Sequence, residues 1–193
     1  MERKLIFATG NLNKLNEVQQ IIADSYILST PADNGINEDI PETSQTIKGN
    51  ALQKARYVFS KTGLNCFADD TGLEIDSLDG EPGVRSARYA GENKSSDDNM
   101  DLVLDKMEAV KNRDARFRTV IALILDGVEY LFEGVVEGEM LEERCGTEGF
   151  GYDSIFRPKG YDKTFAQMTM AEKNPISHRG IAVAKLVDFL KDE

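Results

Sequence analysis

Two long runs rich in β-branched and aromatic residues, about 115–125 and 128–140, meet at Asp126-Gly127. Asp-Gly tolerates the left-handed backbone angles of a two-residue hairpin turn, so this stretch predicts a pair of antiparallel strands. Ahead of it, strands and helices alternate. Residues 4–9 predict a first strand, with Met1-Glu2-Arg3 leading into it, and Leu12, Leu15, Val18 and Ile22 recur at helical spacing. A second strand is predicted from Tyr26 to Thr30, then a polar loop over 31–43 carrying Glu38, Asp39 and Glu42. Ile47, Ala51, Ala55, Val58 and Phe59 predict a helix that stops at Lys61-Thr62-Gly63, where Gly is a C-terminal signal. Leu64–Ala68 predicts a short strand running into Asp69-Asp70, with Leu73–Asp76 continuing after a turn. Met100, Val103, Leu104, Met107 and Val110 mark a helix opened by Asp97 and Asp98, acids that suit its positive N-terminal end. A strand at Ser154–Phe156 and a helix from about Ser177 to Lys191 close the pattern. Early alternation and a late hairpin together predict an α/β fold with a mixed sheet.

Composition bounds the partners. The 193 residues suit one domain, or one domain with two lobes, with a core that needs neither disulfide nor structural metal. No apolar run approaches the ~18 residues that span a bilayer, and the N-terminal stretch lacks a signal peptide's apolar segment. With two cysteines, Cys66 and Cys145, outside any CxxC spacing, reduced thiols in a cytoplasm are expected. A formal net charge of −11 opposes nonspecific binding to nucleic acid. Any phosphate ligand must then be met by a few cations gathered locally, or by a divalent metal on carboxylates.

Several constellations carry possible chemistry. Thr9-Gly10-Asn11-Leu12-Asn13-Lys14 joins a strand to a helix, where free N–H groups and Lys14 suit phosphate, although the GxxxxGK[ST] pattern of a P-loop is absent. Taken alone, this is more often an ordinary Asn-capped turn. Ala68-Asp69-Asp70-Thr71-Gly72 places two acids at a strand end. Their side chains alternate, so one faces the pocket, able to hold Mg2+ or accept a proton, and the other serves structure. An Asp/Gly-rich turn is the competing explanation. Glu42 in Pro41-Glu42-Thr43 would complete the one or two carboxylates Mg2+ usually takes. Asn50 and Lys54 lie four apart on one helical stripe. Gly146–Asp153 has three glycines in six residues, two aromatic faces in Phe150 and Tyr152, and an acceptor in Asp153. Lys173, His178 (the only histidine) and Arg179 gather donors near the start of the last helix. There is no nucleophile elbow, GxSxG, to make Ser177-His178 a triad.

Taken together these motifs resemble the inosine triphosphate pyrophosphatase family. The matching residues are Thr9-Gly10-Asn11…Lys14, Pro41-Glu42-Thr43, Gly49-Asn50-Ala51…Lys54-Ala55, Ala68–Leu73, Pro82-Gly83…Ser86-Ala87-Arg88-Tyr89, Gly149–Asp153 and Ser177–Gly180, in family order over nearly the whole chain. The resemblance implies an elongated mixed β-sheet flanked by helices, with two lobes and an active-site cleft between them, residues 1–193 forming one such domain. It implies that Thr9, Gly10, Asn11, Lys14 and Lys54 hold a triphosphate, and that Glu42 and Asp70 bind Mg2+, with Asp70 also the proton acceptor. Thr71 and Arg88 would contact substrate, and Phe150, Gly151, Tyr152, Asp153, Lys173, His178 and Arg179 would form the base pocket. The implied activity is hydrolysis of ITP, dITP and XTP to monophosphate and pyrophosphate by a cytoplasmic homodimer. Two alternatives stay open: a pyrophosphatase for modified pyrimidine nucleotides, and a nucleotide sensor without turnover.

Overall fold

The computed structural model describes residues 4–22 and 26–192, so Met1-Glu2-Arg3 lies outside the described part of the first strand. The elements are β1 (Lys4–Phe7), α1 (Leu12–Ile22), β2 (Ile27–Ser29), α2 (Ile47–Thr62), β3 (Cys66–Ile75), β4 (Pro82–Gly83), α3 (Ser96–Lys106), β5 (Asp114–Leu125), β6 (Val128–Met140), β7 (Phe156–Pro158), α4 (Met170–Lys173) and α5 (His178–Asp192). The sheet is mixed, as the alternation and the hairpin predict. Its order is β2-β1-β3-β5-β6-β7, with β4 on β3. β1 pairs in parallel with β2 and β3, whereas β3–β4 and β6–β7 are antiparallel.

The Asp126-Gly127 turn has the geometry its residues predict. Both adopt positive φ, 50° and 81°, which matches the right-handed twist of the flanking strands. Asn65 clasps the turn, its Oδ1 accepting the Asp126 N–H at 2.8 Å and its Nδ2 donating to Asp126 Oδ1 at 3.2 Å. At the end of α2, Gly63 takes the left-handed cap at φ 67° and its N–H satisfies the Phe59 carbonyl.

Two compact units share the chain. The first contains the described residues up to Asp70, Thr119–Gly134 and those from Arg179 onward; the second is Thr71–Arg118 with Val135–His178. In the first, Leu5, Phe7, Val18, Ile22, Phe67, Ile121, Leu123, Val183, Leu186 and Leu190 form the core, and the Phe7 and Phe67 rings stack at 4.5 Å. In the second, Leu73, Ile75, Met100, Val103, Met107, Phe117, Met140, Phe156 and Phe165 do so. Among the described residues, no helix is long and apolar enough to cross a membrane.

Three local expectations need correction. β3 runs without a turn from Cys66 to Ile75: Thr71-Gly72 looks like a breaker, yet pairing on both sides keeps it extended. The strand expected at Ser154–Phe156 begins at Phe156, because Asp153–Ile155 winds into a short 3-10 turn. The first strand, expected over residues 4–9, ends at Phe7.

Candidate active site

Extension of β3 through both acids decides what each can do. Successive side chains of a strand leave on opposite faces, so Asp69 and Asp70 find different partners. Asp69 is fully buried and both its oxygens are engaged: Oδ1 accepts from Lys14 Nζ at 3.0 Å, and Oδ2 from Arg179 Nε at 3.1 Å. The Arg179 Nη1 also donates to Glu17 Oε2, and Arg179 and Glu17 are themselves buried. Burial alone would push the Asp69 carboxyl up, but Lys14, Arg179 and Lys54 together hold it well below the usual aspartate range. The fold therefore gains stability from ionised Asp69 that is complete above the ordinary aspartate pKa of about 4 and drains away as pH falls below it. In acid unfolding titrations, Asp69→Asn should flatten the stability loss between about pH 5 and pH 2; an unchanged slope would remove Asp69 as its source.

Asp70 has a different environment. Its Oδ2 accepts one hydrogen bond, from Asn50 Nδ2 at 3.2 Å, and its Oδ1 lies 3.9 Å from Lys54 Nζ. That lysine donates to Glu42 Oε1. Burial raises the Asp70 carboxyl, against the lowering pull of Lys54 and Lys14. Burial also lowers Lys14, whereas the carboxylates of Asp70, Asp69 and Glu42 outweigh burial and raise Lys54. The ion pairs differ between the two groups: Lys14 and Arg179 meet Asp69 and Glu17, whereas Glu42 and Asp70 share Lys54. Two carboxylates that share one lysine, beside lysines suited to phosphate, fit a hard divalent cation shared with a phosphorylated ligand.

The Thr9–Lys14 turn is built for α1. Asn11 Oδ1 accepts the Asn13 N–H at 2.9 Å and the Lys14 N–H at 3.3 Å, and Thr9 Oγ1 accepts the Asn11 N–H at 3.1 Å. Nothing lies within 4 Å of where a Cβ on Gly10 would stand, so the backbone there is open to a ligand.

In the second unit, Gly149 and Gly151 take φ 75° and 63° and fold the loop back onto Asp153. Asp153 Oδ2 accepts the Phe150 N–H at 2.9 Å and Lys173 Nζ at 2.7 Å. A Cβ on Gly149 would stand 2.1 Å from that same oxygen, so the close approach requires glycine. The Lys173 ammonium lies 5.2 Å from the Phe150 ring centroid and 5.5 Å from that of Phe165. His178 is buried and stacks on Phe117 at 4.6 Å. Tyr152 packs in the core rather than offering a stacking face beside Phe150, its hydroxyl donating to the Ser86 carbonyl at 2.7 Å. Thr71 on β3 and Arg88 in the turn Ser86–Arg88 are half-buried.

The structure thus brings together Lys14, Glu42, Lys54 and Asp70 in the first unit, and Phe150, Asp153 and Lys173 in the second. The Arg179 guanidinium is held by Asp69 and Glu17. Glu17, Asn50 and Gln53 were not assigned roles from sequence. A Glu on an amphipathic helix usually faces water, and its partner stands 162 residues away, so no local signal marks Glu17. The Asn50–Lys54 stripe was the available clue to the other two.

Fold and site define a mixed-sheet α/β protein with a buried carboxylate–cation cluster where β3 leaves its first unit. The sequence matches the Ham1 family over residues 5–189, and the chain belongs to that family. It is 54% identical to a protein from Flavobacterium johnsoniae named dITP/XTP pyrophosphatase, covering 97% of each chain. Among solved structures, a HAM1 protein from Coxiella burnetii superposes with a TM-score of 0.91 at 38% identity, covering 99% of this chain and 100% of that one. The Staphylococcus aureus Ham1 protein gives 0.90 at 37%, covering 98% and 99%.

Proposed function

We propose that the chain is a nucleoside triphosphate pyrophosphohydrolase that removes non-standard purine nucleotides, dITP, ITP and XTP, by cleaving the α–β phosphoanhydride. The observation that carries this reading is the unequal pair on β3, with Asp69 saturated by cations and Asp70 sharing Lys54 with Glu42. Residues 1–193 act as one functional domain. Glu42 and Asp70 hold Mg2+, which when bound neutralises phosphate charge and orients the attacking water. Lys14 and Lys54, with Thr9, Gly10 and Asn11, bind the phosphates. Asp70 accepts the proton as water oxygen bonds to the α-phosphorus; the bridging bond breaks and pyrophosphate leaves with its electron pair. No covalent nucleophile is needed.

The second unit supplies base selection. Phe150 and Gly151 offer a face, Tyr152 steadies their loop from the core, and Asp153 sets Lys173. Lys173 and His178 present donors to a 6-oxo purine, and Thr71 and Arg88 contact substrate; Arg179, expected in the base pocket, has its guanidinium on Asp69 and Glu17. Adenine places a 6-amino donor there instead, and such a hydrogen-bond mismatch discriminates by about 10⁴-fold or more. Small-molecule purine nucleotides fit a chain of formal charge −11 better than nucleic acid does. Its assignment as a cytoplasmic homodimer follows the resemblance alone.

The test is a panel of dITP, ITP, XTP, dATP, GTP and dTTP, with Mg2+ or with chelator, assaying pyrophosphate against orthophosphate. Pyrophosphate from dITP, ITP and XTP alone, abolished by chelation, is expected. Preference for dTTP would sink the purine assignment, orthophosphate would mean another bond is cut, and binding without release would make the protein a sensor.

A further inference from the structure

The loop carrying Glu42 has no regular structure, yet a cation site needs Glu42 fixed relative to Asp70. One turn of α2 supplies the restraint, residue against residue. Lys54 bonds Glu42 Oε1. Gln53 holds Thr43 twice, its Oε1 accepting the backbone N–H and its Nε2 donating to Oγ1, both at 2.9 Å. Asn50 Oδ1 accepts the Ser44 N–H at 2.8 Å, while its Nδ2 donates to Asp70 Oδ2 at 3.2 Å. The backbone N–H of Ser44 can only donate, so it fixes which way the Asn50 amide turns and leaves the NH2 group for the carboxylate. Asn50 is 4% exposed. Gly49 lets the loop lie against the helix, since a Cβ there would stand 1.9 Å from Ser44 Oγ.

We infer that Asn50 is a positioning residue that locks the Glu42 loop to Asp70, with Gln53 as a second tie on the same loop. Asn50 hydrogen-bonds both to this loop and to β3, alongside Lys54, which spans the same two elements by ion pairs to Glu42 and Asp70. The inference rests on the reading of Glu42 and Asp70 as the cation's ligands. Residues that orient ligands in this way typically change metal affinity by about 10–100-fold when removed.

The experiment titrates nucleotide-free protein with Mn2+, read by electron paramagnetic resonance, with thermal unfolding run alongside. Asn50→Ala should weaken Mn2+ binding about 10–100-fold, and Gln53→Ala should weaken it less. In the double variant Asn50→Ala/Glu42→Gln, the loss should be smaller than the two single losses added together, because part of what Asn50 does is to place Glu42. Additive losses, or wild-type binding in Asn50→Ala, would overturn the inference. Should Asn50→Ala fail to fold, Gln53→Ala decides, and unchanged Mn2+ binding there counts against it. If the wild type takes up no Mn2+ at all, the carboxylate-pair reading itself has failed. If the wild type binds and both alanine variants match it, only the positioning role has.

Discussion

Asp70→Asn is expected to lower the rate of pyrophosphate release from dITP by about 10²–10⁴-fold, the usual worth of a positioned general base, with further loss from the metal site. The fold should survive. An asparagine oxygen at this position still accepts the Asn50 Nδ2 donor, and the new amide removes a carboxyl that burial already disfavours in its charged form. A thermal midpoint near wild type together with collapsed turnover is the predicted pair of results. Near-normal turnover would eliminate Asp70 as proton acceptor and ligand. A collapse in stability equal to the loss of rate would show that the residue serves the fold. Its neighbour makes the internal control, since Asp69 is saturated by Lys14 and Arg179 and its removal should act first on stability.

Arg179→Ala should have the opposite signature. The guanidinium bridges Asp69 and Glu17 in a fully buried setting. Deleting one partner from such a group leaves uncompensated charge in the interior, which costs about 3–5 kcal/mol. At about 2–4 °C per kcal/mol for a chain of this size, the midpoint should fall by about 6–20 °C. Arg179→Lys should recover part of this, because an ammonium carries the charge but lacks the fork that reaches both acids. Calorimetry or circular dichroism on heating measures both. An unchanged midpoint with lost discrimination between dITP and dATP would mean that the guanidinium serves the purine rather than the carboxylates.

What could be read from the chain depended on how local the physics was. Asp126-Gly127 was legible because a two-residue turn is decided by two backbone conformations that those residue types favour. The end of α2 at Gly63 was legible for the same reason. β3 was misread as interrupted, since Thr71-Gly72 has the composition of a turn and only pairing to neighbouring strands shows otherwise. The alternation of a strand foretold different surroundings for Asp69 and Asp70, and their partners do differ. Which partners was not legible. Glu17 has the sequence context of a solvated helical acid, and a distant contact with Arg179 buries it; which of the two loop aromatics packs inward was equally hidden, and it is Tyr152, on the Ser86 carbonyl.

The quartet of Lys14, Glu17, Asp69 and Arg179 also bears on how such a sequence can drift. Glu17, Asp69 and Arg179 neutralise one another in the interior, and Lys14 joins them from its edge. A substitution at any one strands a charge, at a cost comparable to a large part of the 5–15 kcal/mol that typically separates folded from unfolded. The viable routes to a different arrangement change two or more of these positions together, and such coincident changes are rare. The four residues should therefore behave as one inherited character, kept whole or replaced whole, whatever happens to the surface around them.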